Sequence, residues 1–306
     1  MAEKTVGMIG LGIMGSAMSA NLLKAGFTVI GYDVVAERTR ALEQEGGVAA
    51  KDCQNVAARA ISIITSLPSA DALIETAKLL SSAAQANTVI VETSTLPIAV
   101  KEEARKYLAT RSVTLLDCPL SGTGAQARVK DLIVYVSGDR NACNRTAEIM
   151  DGFARAHYYV GEFGAGSKMK FVANLLVAIH NAAAAEAMVL AMKAGLDPAM
   201  VLKVVADGAG GSRMLQVRGP MMVTGDYSDA TMKVEIWQKD MTIIGEFARK
   251  LECPTPLFLT SASIYTAAMA MGRRAEDTAA VCAVLERMAN YTRPQTGQSR
   301  SADQTT

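Results

Sequence analysis

The chain has 306 residues, enough for two domains with cores of their own. Half of them are hydrophobic and a fifth are charged, and the formal net charge of +1 comes without a basic run, which argues against a nucleic acid or an anionic membrane as partner. The five cysteines (Cys53, Cys118, Cys143, Cys253 and Cys282) are odd in number, widely spaced and without a CxxC pair, so disulfide staples and a zinc cluster are not expected and a reducing cytoplasm is the default compartment.

The chain enters a strand-like segment directly after Lys4, leaving no room for a signal peptide. Strand Thr5–Ile9 leads to helix Ser16–Lys24, stopped by Gly26. Strand Thr28–Tyr32 follows, then helix Ala36–Gln44, ended at Gly46-Gly47. Further strands are predicted at Ala60–Thr65, Thr88–Val91, Val113–Leu116, Leu132–Ser137 and, more briefly, His157–Val160. Strands alternating with helices imply a parallel sheet covered on both faces.

After Gly164 the strand patterns vanish and Ala, Met and Leu dominate. Ser167–Ala194 reads as one helix, ended by Gly195 with Pro198 beyond, and at ~1.5 Å per residue it spans about 40 Å. That is too long for one small domain, so it is expected to connect two. Its most apolar stretch, Phe171–Met192, holds Asn174, His180, Asn181 and Glu186, which favours a buried soluble helix over a membrane span. More helices are predicted at Pro198–Ala206, Met232–Leu251, Thr255–Met271 and Ala279–Tyr291. The polar residues Arg293–Thr306 read as a disordered tail. The expected organisation is an α/β domain over 1–163, an all-helical domain over 164–292 and a tail over 293–306.

The run Gly10-Leu11-Gly12-Ile13-Met14-Gly15 fits GxGxxG, follows a strand and opens a helix. Gly10 permits the tight turn, Gly12 lets the backbone approach a pyrophosphate, and Gly15 allows helix–strand contact. The helix start then offers N–H groups and a positive dipole end to the phosphates, which makes the domain a Rossmann domain for a dinucleotide. Asp33, at the end of the second strand, has the spacing of a ribose-binding carboxylate and would repel a 2′-phosphate, favouring NAD. Arg38 nearby is the feature that would favour NADP instead. A glycine turn that only packs a βα unit is the alternative.

Such sheets bind ligands beyond their strand carboxyl ends. Those ends here are Ser66-Leu67-Pro68, Glu92-Thr93-Ser94-Thr95 and Asp117-Cys118-Pro119-Leu120-Ser121-Gly122-Thr123-Gly124. The last could present N–H groups and the Ser121 hydroxyl to a small carboxylate, or be a generic turn. In Gly161–Asn174, Lys170 and Asn174 are four apart and share a helix face, whereas Lys168 points elsewhere. Near a helix start, and partly buried beside Phe171, Val172, Leu175 and Leu176, a lysine is disfavoured in its charged form, which suits a general acid or base. A solvated lysine is the alternative. His157 and His180 read as structural, and no pattern of ligands suggests a metal.

Together these segments resemble the β-hydroxyacid dehydrogenase family, to which 3-hydroxyisobutyrate dehydrogenase and tartronate semialdehyde reductase belong. The resemblance runs from about Thr5 to Tyr291 on four motifs in order: Gly10 through Asn21-Leu22, Asp117 through Ser121-Gly122, Gly161 through Asn174, and Lys239-Asp240 after Trp237. It implies a Rossmann domain followed by an all-α domain, joined by a long interdomain helix, with the active site between them. It implies Lys170 as catalytic acid/base and Asn174 as its partner. It further implies Ser121, Gly122 and Thr123 as the substrate-carboxylate loop. Leu67, Thr95 and Lys239 fall near the nicotinamide, and Gly10, Gly12, Ile13, Met14, Gly15 and Asp33 hold the rest of the cofactor. It implies a homodimer or homotetramer. Three departures stand out: Thr123 where the family often has a second glycine; Lys130 where the loop usually continues Ala-x-x-Gly, which suggests a different turn; and Ala173 before Asn174. The expected reaction is NAD(P)-dependent interconversion of a small 3-hydroxy carboxylate with its semialdehyde or ketone. The rivals are an imine reductase-like enzyme, which usually lacks this lysine, and an inactive cofactor-binding interaction protein.

Overall fold

The computed structural model describes residues 4–294, so most of the expected tail lies outside the described residues. The chain divides into two compact units, Met1–Asn174 and Leu175–Thr306. In the first, nine strands are described: β1 (Thr5–Ile9), β2 (Thr28–Tyr32), β3 (Val48–Ala49), β4 (Ser62–Thr65), β5 (Val89–Glu92), β6 (Thr114–Asp117), β7 (Leu120–Ser121), β8 (Ile133–Ser137) and β9 (Ala156–Gly161). Between them run α1 (Ile13–Lys24), α2 (Ala36–Gln44), α3 (Cys53–Arg59), α4 (Ala70–Ala83), α5 (Ile98–Ala109), α6 (Gly124–Arg128) and α7 (Arg140–Phe153), and α8 (Ala165–Lys193) follows β9.

The sheet order is β3-β2-β1-β4-β5-β6-β8-β7, with β9 paired to β8. The six strands from β3 to β6 are parallel, and the chain crosses from β3 back past β1 to β4. The middles of those strands are apolar because both faces are covered, and their polar residues, Glu92 and Asp117 among them, stand at the strand ends. Val6 and Met8 of β1 pack with Met18 and Leu22 of α1 and with Ile149, Met150 and Phe153 of α7. On the other face Ile9, Ile30, Ile63 and Ile90 meet Val56 of α3, Leu73 and Leu80 of α4, and Leu108 of α5. The two sets alternate along each strand, as the two-residue period requires.

The expected parallel sheet holds from β3 to β6 and gains an antiparallel edge beyond it. β8 runs antiparallel to β6 and β7, with Leu120 opposite Val134 and Ser121 opposite Ile133. A parallel return needs a crossover of a dozen or more residues, usually helical, and the five-residue α6 does not provide one.

The second unit is helical: α9 (Pro198–Asp207), α10 (Arg213–Thr224), α11 (Val234–Lys250), α12 (Pro256–Ala270), a 3₁₀ turn at Thr278–Ala280, and α13 (Val281–Met288). α10 was not anticipated, because Pro220 sits inside it. The helix is started by Ser212, whose hydroxyl accepts the Leu215 N–H at 3.1 Å. Arg218 on it donates to the buried Asp277 at 3.2 Å, and Asp277 also accepts from the N–H groups of Thr231, Met232 and Ala279. Arg293, the first residue of the expected tail, is anchored by the Met222 and Val223 carbonyls and by Glu286.

Candidate active site

The glycine turn joins β1 to α1. Gly10 has φ +90°, and a Cβ there would lie 2.2 Å from the Ser66 carbonyl oxygen. One on Gly15 would lie 1.9 Å from the Gly10 carbonyl oxygen. Both glycines are therefore dictated by the chain's own packing. Gly12 is different: its φ is −68° and nothing lies within 4 Å of a Cβ there. The fold does not require glycine at 12, so the space above it is what a cofactor backbone approach would use. Gly12 is also the N-cap of α1 and offers no side-chain cap, leaving the helix start at Ile13 and Met14 to an anion. A cavity of about 460 Å³ runs beside it, lined by Gly12, Ile13, Ser16, Arg38 and Arg128 among others.

Asp33 follows β2 directly and is 7% exposed. Its carboxylate accepts the Leu11 N–H at 2.7 Å and the Val35 N–H at 2.8 Å, and Arg38 Nη1 lies 3.4 Å from both oxygens. The same group thus closes the glycine turn and carries an arginine beside it.

The loop after β6 sits against this turn. A Cβ on Gly124 would meet Ile13 Cγ2 at 2.4 Å. Asn21 of α1, buried, donates to the Ala127 carbonyl at 2.7 Å and so ties α6 to α1. Ser121 ends β7, Gly122 takes φ +137°, and Thr123 caps α6. Thr123 is engaged in a capping box: its backbone N–H donates to Gln126 Oε1 at 3.0 Å and its hydroxyl accepts the Gln126 N–H at 3.4 Å. Lys130 follows α6 at the position where the expected loop glycine is missing. It holds φ +61°, the left-handed conformation that a glycine at this position adopts without strain.

α8 begins where β6 and β8 end. A Cβ on Gly166 would lie 2.6 Å from the carbonyl oxygens of Asp117 and Tyr135, so only glycine lets the helix start this close to the sheet. Asp117 then caps the helix: its carboxylate accepts the Ser167 N–H at 2.7 Å and the Ser167 hydroxyl at 2.8 Å. One turn on, Lys170 is half-buried and Asn174 is 5% exposed, while Lys168 is exposed. Phe171 is buried, but Val172 and Leu176 are exposed, so α8 is less enclosed here than the apolar run implied. Lys239 lies on α11 beside the buried Trp237, with its ammonium 3.7 Å from Asp240. His157 pairs with Asp151 at 3.2 Å on β9, and His180 is exposed on α8.

One component escaped the sequence reading. Lys101 of α5 is fully buried, with its ammonium 2.5 Å from Glu92 and 2.7 Å from Asp117. Burial pushes its pKa down, but the two carboxylates overrule this and hold it above the ordinary lysine value. The available signal is that Lys101 shares the inward stripe of α5 with Ala104 and Leu108. Among the described residues no group of three or more His, Cys, Asp or Glu could hold a metal.

A family model described as the NAD binding domain of 6-phosphogluconate dehydrogenase matches residues 5–161. Another, described as NAD-binding of NADP-dependent 3-hydroxyisobutyrate dehydrogenase, matches residues 164–285. L-threonate dehydrogenase of Cupriavidus necator is 31% identical over 283 residues, covering 91% of this chain and 95% of its own. 2-(Hydroxymethyl)glutarate dehydrogenase of Eubacterium barkeri is 31% identical over 288 residues, covering 92% and 95%. The solved structure of 3-hydroxyisobutyrate dehydrogenase from Salmonella typhimurium superposes with a TM-score of 0.82 at 30% identity, covering 92% and 99%. The chain belongs to the β-hydroxyacid dehydrogenase family and is an NAD(P)-dependent oxidoreductase.

Proposed function

We propose that this enzyme interconverts a small 3-hydroxy carboxylate and its semialdehyde or ketone, with Lys170 as general acid/base. The observation that carries the reading is the pair of bonds from Ser167 to Asp117. They set the first turn of α8 beside the loop that continues to Ser121, and that loop is packed on the glycine turn through Gly124 and Asn21. Residues 1–163 are assigned to cofactor binding and 164–292 to the substrate and to assembly.

In this reading the N–H groups at the start of α1 hold the pyrophosphate and Asp33 receives the ribose hydroxyls. A carboxylate has about four acceptor positions, so the bonds from Leu11 and Val35 leave room for them. Arg38 offsets part of the negative charge, so NAD is preferred and NADP is accepted. Leu67 and Thr95 flank the nicotinamide. Ser121 and the N–H of Gly122 fix the substrate carboxylate. Thr123 shapes the pocket, its own N–H being occupied by Gln126. Lys170 takes the hydroxyl proton on oxidation and returns it on reduction, and Asn174 holds the substrate oxygen or the lysine in place. The bound cofactor supplies the hydride chemistry; the protein supplies position and proton transfer. Lys170 and Asn174 on one helix face weigh against the imine-reducing and inactive alternatives.

A cytoplasmic homodimer or homotetramer fits the helical unit. The apolar helix α9 has no buried residue, and Leu190, Met200 and Val204 are 73%, 55% and 61% exposed. α8 is long and apolar enough to cross a membrane by length and composition alone, and half of its most apolar stretch is buried; we read it as a core helix.

The test is NADH or NADPH formation from L-threonate, 3-hydroxyisobutyrate, 2-(hydroxymethyl)glutarate and simpler 3-hydroxy acids, each with NAD and NADP. Turnover of at least one of them is expected. No turnover of any, with cofactor still bound, removes the proposal.

A further inference from the structure

Lys101 is a fully buried ammonium that touches no surface and lies outside the residues given roles above. Besides Glu92 and Asp117, it donates to the Ser94 carbonyl at 2.7 Å. Ser94 is itself held at both ends: its N–H donates to Glu92 Oε1 at 2.8 Å, and its hydroxyl accepts the Leu67 N–H at 2.8 Å. Asp117, the other partner, spends its remaining capacity on Ser167 and on the Ser137 hydroxyl, and that hydroxyl also accepts the Gly166 N–H at 2.9 Å.

One cation therefore sits at the junction of two chains of bonds. The first runs through Ser94 to Leu67 and to the neighbouring Thr95. The second runs through Asp117 to Ser167, three residues before Lys170. Glu92, Asp117, Lys101, Ser137 and Ser167 are each no more than 2% exposed, so the junction is screened by little water and is geometrically stiff. A neutral, apolar core would stabilise the unit as well or better, so a buried ion cluster is weak grounds for a purely structural role.

We propose that Lys101, acting through Asp117 and Ser167, is a positioning residue for the reaction: it fixes the first turn of α8 relative to the loops at Leu67 and Thr95, and so sets Lys170 for proton transfer. This rests on the assignment of Lys170 as acid/base. A misplacement of about 1 Å in such a site costs on the order of 10²-fold in rate.

The experiment is a double-mutant cycle with Ser167→Ala and Lys170→Ala, followed with 3-hydroxyisobutyrate and L-threonate, using whichever turns over faster. Ser167→Ala removes one bond from the chain and leaves the ions paired, so it should fold. It is expected to lower kcat by roughly tenfold or more with the NADH dissociation constant unchanged, and Ser167→Thr is expected to restore most of the loss. In the Lys170→Ala background Ser167→Ala should have no further effect. Hydrogen exchange at the amides of 167–170 should quicken while that of 180–190 stays the same. An unchanged kcat in Ser167→Ala, or an equal loss in both backgrounds, overturns the proposal. If Lys170→Ala alone keeps its turnover, the acid/base assignment fails instead, and the two failures are told apart in one data set.

Discussion

The Cα of Gly15 faces the Gly10 carbonyl so closely that a Cβ on it would stand 1.9 Å from that oxygen, whereas a Cβ on Gly12, three residues earlier, would touch nothing. One motif thus contains glycines held by two different demands. Gly15→Ala is expected to destabilise the first unit by about 1–3 kcal/mol, seen as a lower Tm, because backbone must move. Gly12→Ala is expected to keep or slightly raise stability, by up to about 1 kcal/mol, while weakening NADH binding by on the order of tenfold or more. Equal effects of the two on stability would refute the distinction.

Lys130 stands at φ +61°. Left-handed backbone costs a residue with a Cβ roughly 1–2 kcal/mol. Lys130→Gly should therefore raise the denaturation midpoint, by up to about 1 kcal/mol once the added freedom of the unfolded chain is subtracted. A lower midpoint would show that the lysine side chain contributes more than its backbone strain costs.

Arg38 lies within 3.4 Å of both Asp33 oxygens and lines the cavity beside α1. Arg38→Ala should raise the ratio of kcat/KM with NAD to that with NADP by roughly tenfold, since a charge-assisted contact to phosphate is lost while the ribose carboxylate stays. An unchanged ratio would remove Arg38 from cofactor selection.

Two buried ion pairs set opposite pH limits. Burial opposes ionisation of Asp277, but Arg218 and three backbone or side-chain donors hold its carboxyl below the usual range. Its folded pKa is below its unfolded one of about 3.9, so its contribution is present above that pH and is lost as pH falls through the folded value. Lys101 is the reverse: its pKa is raised, so its contribution is full below about 10.4 and is lost as pH rises through the folded value. Melting curves should show Asp277→Asn flattening the acid limb alone. Equal acid limbs in the variant and the parent would contradict this.

Where local chemistry fixes an element, the sequence was readable. β1, β2 and α2 have the bounds that their apolar runs and glycine stops indicate, and α8 differs by a residue or two. β3 and β7, of two residues each, are too short to show a period, and α1 begins at Ile13, ahead of the expected Ser16, with no side chain at Gly12 to mark its cap. Strand direction at β8 depends on a connection length that no periodicity encodes. Ser121, Lys170 and Asn174 enter the proposed site because motifs carry them. Lys101 was not, since its partners sit at the ends of β5 and β6 and meet it only after the sheet and α5 have packed.

The central claim is that Lys170 moves the substrate proton. The most direct measurement is steady-state turnover of Lys170→Ala beside its NADH affinity. The account predicts a fall in kcat of about 10²–10⁴-fold with NADH binding unchanged. Turnover close to that of the parent enzyme would contradict it.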